Sequence, residues 1–270
     1  MSLSPTPLPV PLPLPIPLPT PLLIPPPPRP PSTPPACLQA ELARAGWAVL
    51  SQVGCSELTA VGPGLLDAWL PIWDQLPADP HLRDGGRYRR RRHGCFVVRG
   101  HEVLPTVHRA HWQPVEYNAL HGGFERWFEP LPEALLSSPS WSSLLSGLAQ
   151  VASGLRGERT WFVEAHPFRI DTEGGIGRPT PEGAHRDGVD LVAVVLVGRH
   201  QIKGGETRVF DAQGPHGVRF TLTEPWSVLL LDDARVIHET TPIQPLVAGQ
   251  VGWRDTLVLT FRQGGFQGPG

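Results

Sequence analysis

The chain has 270 residues, a formal net charge of −2 and 34 prolines. Because positive charge does not dominate, the composition argues against a nucleic-acid-binding surface, and the one basic run, Arg87 with Arg89–His93, is too short to reverse that balance. The length permits one or two domains, and we predict a single domain over residues 37–270.

Proline dominates the first 36 residues, which contain half of the chain's prolines. Proline at nearly alternate positions forbids an α-helix and favours extended polyproline II, so this segment can neither cross a membrane as a helix nor form the helical core of a secretory signal. We therefore predict a disordered tail over residues 1–36 and no membrane association. The alternative function for this segment is docking to an SH3-like partner.

Helical periodicity is confined to the first half of the remaining chain. Apolar residues recur at helical spacing over Leu38–Ala45, which Gly46 ends, and over Leu65–Leu76, which Pro71 interrupts. The clearest amphipathic pattern covers Leu144–Leu155. We expect these helices to pack on the outer face of a sheet.

Short β-patterned runs fill the second half and are separated by glycine, proline and aspartate turns. They cover residues 158–170, 189–199, 206–210, 217–222, 226–231 and 256–262. Closely spaced short strands of this kind are typical of jelly rolls and barrels, so the sequence predicts a mainly β fold.

A His-x-Asp motif, His185-Arg186-Asp187, precedes one apolar run, and His238 follows another. On an extended strand residues i and i+2 point to the same side, so His185 and Asp187 can reach one ion while Arg186 points away. Two histidines and one carboxylate on one face of an ion are the ligand set of non-haem Fe(II) oxygenases. The pattern therefore predicts an Fe(II) site formed at strand ends by His185, Asp187 and His238.

Arg254 begins the strand pattern that follows His238. A co-substrate such as 2-oxoglutarate would chelate the iron with one end and leave its other carboxylate deep in the fold, where the planar fork of an arginine can donate two parallel hydrogen bonds. Arg262 is a rival for this role, because it lies an even number of residues away and can face the same side. The alternative for Arg254 is a surface salt bridge with Asp255.

Several stretches around these residues carry a family resemblance. They are Trp161–Ile170, Pro181–Asp190, Gly204–Thr207, His238 and Arg254-Asp255, and upstream Arg87–Arg90 and Glu116–Gly123. Together they resemble the bacterial 2-oxoglutarate/Fe(II) dioxygenases that hydroxylate free L-amino acids, the isoleucine 4-dioxygenase-like family. The resemblance spans roughly residues 38–264 and is most specific around the metal motif.

This resemblance implies a double-stranded β-helix, the cupin-like jelly roll of two antiparallel sheets, with flanking α-helices packed on one sheet. It implies Fe(II), with 2-oxoglutarate as co-substrate and O2 as a further reactant, and hydroxylation of an unactivated C–H bond with release of succinate and CO2. The implied substrate is a free L-amino or cyclic imino acid such as isoleucine, leucine, proline or pipecolate. We assign Arg254, Arg262, His166 and Thr207 to the co-substrate pocket, while His166 also fits a hydrogen-bonded core histidine.

A free amino acid brings a carboxylate and an ammonium, so its pocket needs a cationic fork and an acceptor. Strand alternation places Tyr88, Arg90 and Arg92 on one face, and Arg89, Arg91 and His93 on the other. We predict substrate contacts from Tyr88, Arg90, Arg92, Tyr117, Asn118 and His121. The alternatives are a solvated edge strand for the arginines and a simple glycine turn for residues 117–123.

Two other functions stay open at this point. Two histidines and an aspartate also hold zinc with an activated water in hydrolases, although no general base stands beside the ligands and the Arg254 strand then has no purpose. A non-catalytic small-molecule-binding cupin barrel would not require three ligands. The sparse cysteines Cys37, Cys55 and Cys95 predict a reducing, cytoplasmic location, and a homodimer is compatible with the sequence.

Overall fold

The computed structural model describes residues 28–269. Most of the predicted tail, residues 1–27, lies outside the described residues, so its disorder stays a prediction. Residues 28–36 run beside the sheets: the Thr33 amide donates to the Val49 carbonyl (2.7 Å), and the Thr221 amide donates to the Pro28 carbonyl (3.0 Å). A short 3₁₀ helix, Pro35–Cys37, leads from this segment into the first α-helix.

The helices lie in the first half of the chain. They are α1 (Leu38–Ala45), α2 (Gln52–Thr59), α3 (Pro63–Asp67), α4 (Pro71–Asp74), α5 (Glu133–Leu136) and α6 (Pro139–Arg156). The predicted helix Leu38–Ala45 is confirmed, and Gly46 ends it in the left-handed conformation (φ 77°) that glycine adopts without a Cβ clash. The helical pattern over residues 65–76, with its predicted interruption at Pro71, corresponds to two short helices, because Pro71 cannot continue α3 and instead begins α4.

The strands alternate with short turns, mostly in the second half. They are β1 (Trp47–Leu50), β2 (Arg89–Arg91), β3 (Gly94–Arg99), β4 (Glu102–Pro105), β5 (Trp161–Asp171), β6 (Leu191–His200), β7 (Ile202–Gly204), β8 (Thr207–Asp211), β9 (Gly217–Phe220), β10 (Val228–Asp232), β11 (Val236–Thr240), β12 (Ile243–Pro245) and β13 (Trp253–Arg262). Each of the six predicted runs corresponds to a strand, namely β5, β6, β8, β9, β10 and β13. The strand β11, which carries His238, was not among the predicted runs.

Two antiparallel sheets form the body of the molecule. The large sheet has the order β1-β10-β6-β13-β5-β3-β4, with β2 also paired to β5, and the small sheet has the order β11-β8-β9. A further pair, β12 with β7, stands apart from both, and between residues 28 and 269 the sheets do not join into one closed hydrogen-bonded ring. The predicted mainly β fold, a double-stranded β-helix, is confirmed.

Alternation along the strands of the large sheet separates two apolar layers. One layer contains residues of both the helices and the large sheet, among them Trp73, Leu145, Ala165, Leu230 and Leu259. The other joins the two sheets and includes Val209, Leu229 and Val236. Strand β10 contributes to both layers, because successive side chains point to opposite faces. The helices therefore cover one face of the large sheet, and the opposite face of β5 and β13 is available to line a cavity.

Across the described part of the chain, every helix is too short or too polar to cross a membrane. All three cysteines are free; Cys37 is exposed, and Cys55 and Cys95 are buried. Burial raises the pKa of the Cys55 thiol to about 11, so this thiol is protonated at neutral pH and is a weak nucleophile.

Candidate metal centre

His185, Asp187 and His238 converge on one point between the two sheets. His238 lies in the middle of β11, and its backbone exchanges two hydrogen bonds with His185 (3.0 and 2.9 Å). The potential ligand atoms of the three residues lie within 4.8 Å of one another. Asp187 Oδ1 lies 3.8 Å from His185 Nε2, and Asp187 Oδ2 lies 3.8 Å from His238 Nε2. Ligands of one first-row ion, each about 2.1 Å from it, lie roughly 3 to 3.5 Å apart, so small side-chain rotations suffice to close the site.

Both imidazoles present a suitable nitrogen to an ion. Nδ1 of His185 lies 2.9 Å from the Gly183 carbonyl oxygen, so it donates its proton there and leaves Nε2 free to bind a metal. Burial, with a smaller effect of His185, lowers the pKa of His238 to about 3, so this imidazole is neutral at physiological pH. Burial opposes the charge of His185, but Asp187 and Glu182 outweigh it and raise the pKa of this histidine, so metal binding there competes with protonation. Two imidazoles and one carboxylate fit divalent iron.

The local backbone of the motif differs from the predicted strand. His185 forms only an isolated bridge, and Asp187 lies in an irregular loop that bends at Gly188. Glycine is required at position 188, because its φ is 76° and a Cβ atom would lie 2.5 Å from the Tyr117 ring. The prediction that the ligands sit at strand ends is therefore wrong: the first two lie on a loop and His238 is central in its strand.

Asp233 fixes the loop that carries Asp187. Its fully buried carboxylate accepts hydrogen bonds from the backbone amides of Asp187 (3.0 Å), Gly188 (2.7 Å) and Val189 (3.1 Å). Because Asp233 directly follows β10, the large sheet determines where the loop lies. This role of Asp233 is not predictable from the sequence, because its three hydrogen bonds join residues more than 40 positions apart and leave no local pattern.

Asp233→Asn is expected to weaken Fe(II) binding about tenfold to a hundredfold, which is the usual effect of removing a group that orients metal ligands. An asparagine keeps the volume but replaces one acceptor oxygen by a donor, which faces backbone amides that also donate. Anaerobic calorimetric titration with Fe(II) measures the change. Asp211→Ala, at the exposed end of β8, is the control. An unchanged Fe(II) dissociation constant for Asp233→Asn would contradict the assigned role.

The three candidate metal ligands open into a cavity that is partly open to solvent. Alternate residues of β5 and β13 form one wall, and Phe266 and Gln267 of the C-terminal segment form part of the rim. The apolar lining is Phe162, Phe168, Ile170, Val189, Val194 and Val258. A ligand in this cavity can therefore be held by polar groups while apolar surfaces exclude much of the water.

Arg254 is a buried cation in this wall. It is 4 % exposed, and its Nε has no hydrogen-bond partner within residues 28–269. Burial, followed by the nearby Arg199, lowers the pKa of Arg254 to about 9, so its charge is poorly compensated. Asp255, the alternative partner considered from sequence, instead binds Arg169 (2.7 Å). Arg262 also lines the cavity, but it is half-buried and donates to the Gly265 carbonyl (2.6 Å).

A second group of potential metal ligands lies elsewhere in the same wall. His93, His111, Glu164 and His166 are all buried, and their ligand atoms also lie within 4.8 Å of one another. However, Arg91 Nη2 lies 2.6 Å from His166 Nδ1, and a guanidinium can only donate. A metal-bound histidine normally uses its second nitrogen to donate to an acceptor, and a guanidinium would also repel a cation. This group therefore fits a hydrogen-bonded carboxylate better than a second metal.

Some of the predicted binding residues reach the cavity and others do not. Besides the three metal ligands, the lining contains Arg254, Arg262, His166 and Asn118. Thr207 is buried in β8 opposite Thr240 and is outside the lining. His121 is buried behind the cavity, where its Nε2 accepts from the Arg83 amide (3.3 Å). Tyr117 packs against Gly188 on the outer side.

The predicted face of the arginine-rich strand also points away from the cavity. The Tyr88 hydroxyl donates to Asp84 (2.6 Å), Arg90 pairs with Asp171 (3.4 Å), and Arg92 pairs with Glu129 (2.8 Å). The opposite face supplies the lining residues Arg89 and Arg91. The alternation was correct, but the choice of Tyr88, Arg90 and Arg92 as the inward face is corrected by the structure.

Gln113 connects the metal site with the far wall and was missed by the sequence analysis. Its side-chain amide donates to Asp187 Oδ1 (3.1 Å), and its carbonyl oxygen accepts from Arg126 (2.7 Å) and from Asn118 (3.1 Å). Arg126, His111 and Glu164 were also missed as lining residues. These residues come from loops and strands far apart in the chain, and none belongs to a short motif.

Comparisons with known proteins agree with this geometry. The family described as 2OG-Fe dioxygenase matches residues 70–260. A crystal structure of a bsmA homolog from Methylobium petroleophilum PM1 is 56% identical, covers 88% of this chain and 97% of its own, and superposes with a TM-score of 0.84. Two further structures share the fold. IDO from Bacillus thuringiensis is 16% identical, covers 87% of this chain and 97% of its own, and superposes with a TM-score of 0.69. The Fe(II)/α-ketoglutarate-dependent dioxygenase TqaL is 18% identical, covers 87% of this chain and 90% of its own, and superposes with a TM-score of 0.66. No curated protein gives a significant match.

Proposed function

Because the chain belongs to the 2OG-Fe dioxygenase family, we propose that it hydroxylates an unactivated C–H bond of a free L-amino or cyclic imino acid. Its cofactor is Fe(II) and its co-substrate is 2-oxoglutarate. Family membership favours this oxygenase activity over zinc-dependent hydrolysis and over a non-catalytic binding barrel, which the sequence alone left open. Isoleucine, leucine, proline and pipecolate are the substrates to test first.

The residues that would hold the iron are His185, Asp187 and His238. Bound iron supplies the chemistry that couples reduction of O2 and decarboxylation of 2-oxoglutarate to insertion of one oxygen atom into the substrate, with succinate and CO2 as the other products. Because these three residues would bind the iron from one side, 2-oxoglutarate and O2 would reach it from the other side. The substrate therefore has to be held by the cavity wall and not by the metal.

We assign the distal carboxylate of 2-oxoglutarate to Arg254. A buried, uncompensated guanidinium in the same cavity as the metal ligands needs an anion, and its fork can donate two hydrogen bonds to a carboxylate. Thr256 and Val258 follow on the same face of β13 and give this pocket a polar and an apolar side. His166 lines the same cavity and stays a candidate neighbour, whereas Thr207 lies outside the lining.

The single observation that supports an amino acid as substrate is the charge pattern of the cavity. In addition to the candidate metal ligands and Arg254, its wall contains buried groups of both charges. The cations are Arg89, Arg91 and Arg126, and the anion is the carboxylate of Glu164. A zwitterion complements such a wall, whereas a purely apolar or purely anionic ligand leaves one sign of charge unmatched and buried.

The direct test is a screen of purified protein with Fe(II), 2-oxoglutarate and each common free L-amino acid, together with pipecolate. We expect succinate to form together with a product that is heavier than one of these substrates by about 16 Da, the mass of one oxygen atom. Neither succinate nor this product should form without Fe(II) or without O2. Succinate formation without any hydroxylated amino or imino acid would exclude the proposed substrate class while leaving the dioxygenase activity intact.

A further inference from the structure

Glu164 occupies a cage of three histidines in the cavity wall. Its Oε2 accepts a hydrogen bond from His111 Nδ1 (2.6 Å) and lies 3.6 Å from His166 Nε2 and 3.8 Å from His93 Nε2. The rings support one another, since His93 stacks on His166 with centroids 4.8 Å apart and an interplanar angle of 10°. The carboxylate is therefore held in one orientation by groups that are all buried.

The second oxygen of this carboxylate has no such partner. Oε1 of Glu164 is buried and lacks a hydrogen-bond partner in the part of the chain that the structure describes. Burial alone would raise the pKa of Glu164, but His111 and the other two histidines outweigh it and hold this pKa well below the ordinary value. Burial keeps His111 itself neutral, with its pKa lowered to about 3, so the site carries a negative charge. A buried anionic acceptor without a donor is costly unless a ligand supplies one.

Arg126 is a cation that lines the same cavity as this acceptor. The backbones of His111 and Arg126 exchange two hydrogen bonds (2.9 and 3.1 Å), so the residue that orients Glu164 is paired directly with Arg126. Arg126 is 2 % exposed, its Nη2 donates to Gln113, and its Nε is without an acceptor among residues 28–269. Through Gln113, the same guanidinium is tied to the metal ligand Asp187.

Arg89 and Arg91, which also line the cavity, are already engaged. Arg89 is paired with the buried Asp79 (2.7 Å), and Arg91 donates to His166 while its guanidinium lies 3.8 Å from the ring centroid of Phe128. Their positive charge is thus partly matched by an anion, an imidazole or an aromatic face. Arg126 lines the same cavity as Glu164, and among residues 28–269 its side chain bonds only the neutral amide of Gln113.

We propose that Glu164 Oε1 accepts a hydrogen bond from the ammonium, or the ring NH2⁺ of an imino acid, and that Arg126 binds the carboxylate of the same molecule. This inference rests on the proposed function and names how that site recognises the α-amino acid group. Recognition of both charges in one place selects free amino acids over carboxylic acids that lack nitrogen and over N-acylated amino acids. The link from Arg126 through Gln113 to Asp187 sets where the remainder of the substrate lies relative to the metal.

The first experiment uses the unmodified protein and pairs of ligands that differ only at nitrogen. Calorimetric titration of the anaerobic protein with Fe(II) and 2-oxoglutarate compares L-pipecolate with cyclohexanecarboxylic acid, L-proline with cyclopentanecarboxylic acid, and L-isoleucine and L-leucine with their des-amino acids. We expect binding of at least one nitrogen-containing member, and about tenfold to a hundredfold weaker binding of its partner, because a hydrogen bond between charged groups contributes on that scale.

The second experiment removes the charge of Glu164. Glu164→Gln is expected to weaken binding of the preferred amino or imino acid about tenfold to a hundredfold and to abolish the preference over the des-amino partner, while the affinity for 2-oxoglutarate stays the same. Glu173→Gln is the matched control, because this carboxylate is exposed at the end of β5 and outside the cavity. Circular dichroism and 2-oxoglutarate binding check that the variant is folded.

The outcomes separate this inference from the function on which it rests. Equal binding of nitrogen-containing and des-amino partners by the unmodified protein would overturn the inference but not the oxygenase activity. Failure of every amino and imino acid to bind would overturn it together with the proposed substrate class. Two equivalents of metal per chain, reduced to one by Glu164→Gln, would also overturn it, because the histidine cage would then be a second metal site.

Discussion

Asp187→Ala is expected to lower 2-oxoglutarate-dependent turnover to below about 1% of the unmodified activity. Removing a residue that only orients a metal ligand already lowers metal affinity or activity about tenfold to a hundredfold, so the loss of a ligand itself should have a larger effect. Asp187 is the only carboxylate in the group formed with His185 and His238, and its two oxygens face one histidine each. Without it, the two histidines lose the carboxylate that offsets the charge of a divalent ion.

The same variant should bind little or no Fe(II), and this can be measured without any turnover. Iron per chain after gel filtration, and the rise in Tm on adding Fe(II), should both fall to near zero, because a metal stabilises only a fold that binds it. The variant itself should remain folded, since burial raises the pKa of Asp187 and the metal-free protein holds this carboxylate at a cost. Asp211→Ala serves as control, and near-normal iron content in Asp187→Ala would exclude the assigned metal site.

The grouping of the three candidate metal ligands and the burial of Arg254 in the same cavity were predictable, because short-range chemistry marks these residues. A His-x-Asp pair beside an apolar run, a later histidine and an arginine on the following strand are visible along the chain without knowledge of the fold. The alternation of β13 also predicted correctly that Arg254 and Arg262 face the same side, and both line the cavity. Alternation predicts which residues share a face, whereas His185 and Asp187 approach His238 from a loop and not from the expected strand.

The inward face of β2 could not be predicted, and the reason lies in its composition. Between Arg87 and His93 only Tyr88 is partly apolar, so no hydrophobic residue distinguishes the buried face from the exposed one. The structure buries Arg89 and Arg91 by giving them Asp79, His166 and aromatic rings as partners. Those partners are brought to β2 by pairing with β5 and by a separate loop, and such long-range contacts leave no trace in a short window of sequence.

The residues that orient other side chains or loops could not be recognised in the sequence for the same reason. Asp233 appears in the sequence as half of an Asp-Asp turn, and Gln113 stands in a segment without any pattern. Their roles depend on reaching Asp187 across 46 and 74 residues, respectively. Glu164 lies on β5, and its burial among three histidines depends on His166 of the same strand, on His93 just before β3 and on the segment that carries His111.

Arg254→Lys is expected to raise the KM for 2-oxoglutarate about tenfold to a hundredfold while the KM for the amino or imino acid changes little. Lysine keeps a positive charge but cannot donate two parallel hydrogen bonds to one carboxylate. Arg262→Lys is the matched control: it lies on the same face of β13 but is half-buried and engaged with the Gly265 carbonyl, so we expect less than about a fivefold change. Steady-state kinetics with varied 2-oxoglutarate measures both.

The pH dependence of the lysine variant gives an independent check of the same assignment. Burial already lowers the pKa of Arg254 to about 9, and it would lower the pKa of a lysine at this position in the same direction from a lower starting value. Deprotonation of that lysine as the pH rises removes the charge that attracts the carboxylate, so its KM for 2-oxoglutarate should increase between about pH 6.5 and about pH 8, while the unmodified protein changes less. If instead Arg262→Lys shows the larger and more pH-dependent increase, the co-substrate carboxylate is bound at the cavity rim and Arg254 must have another anion as its partner.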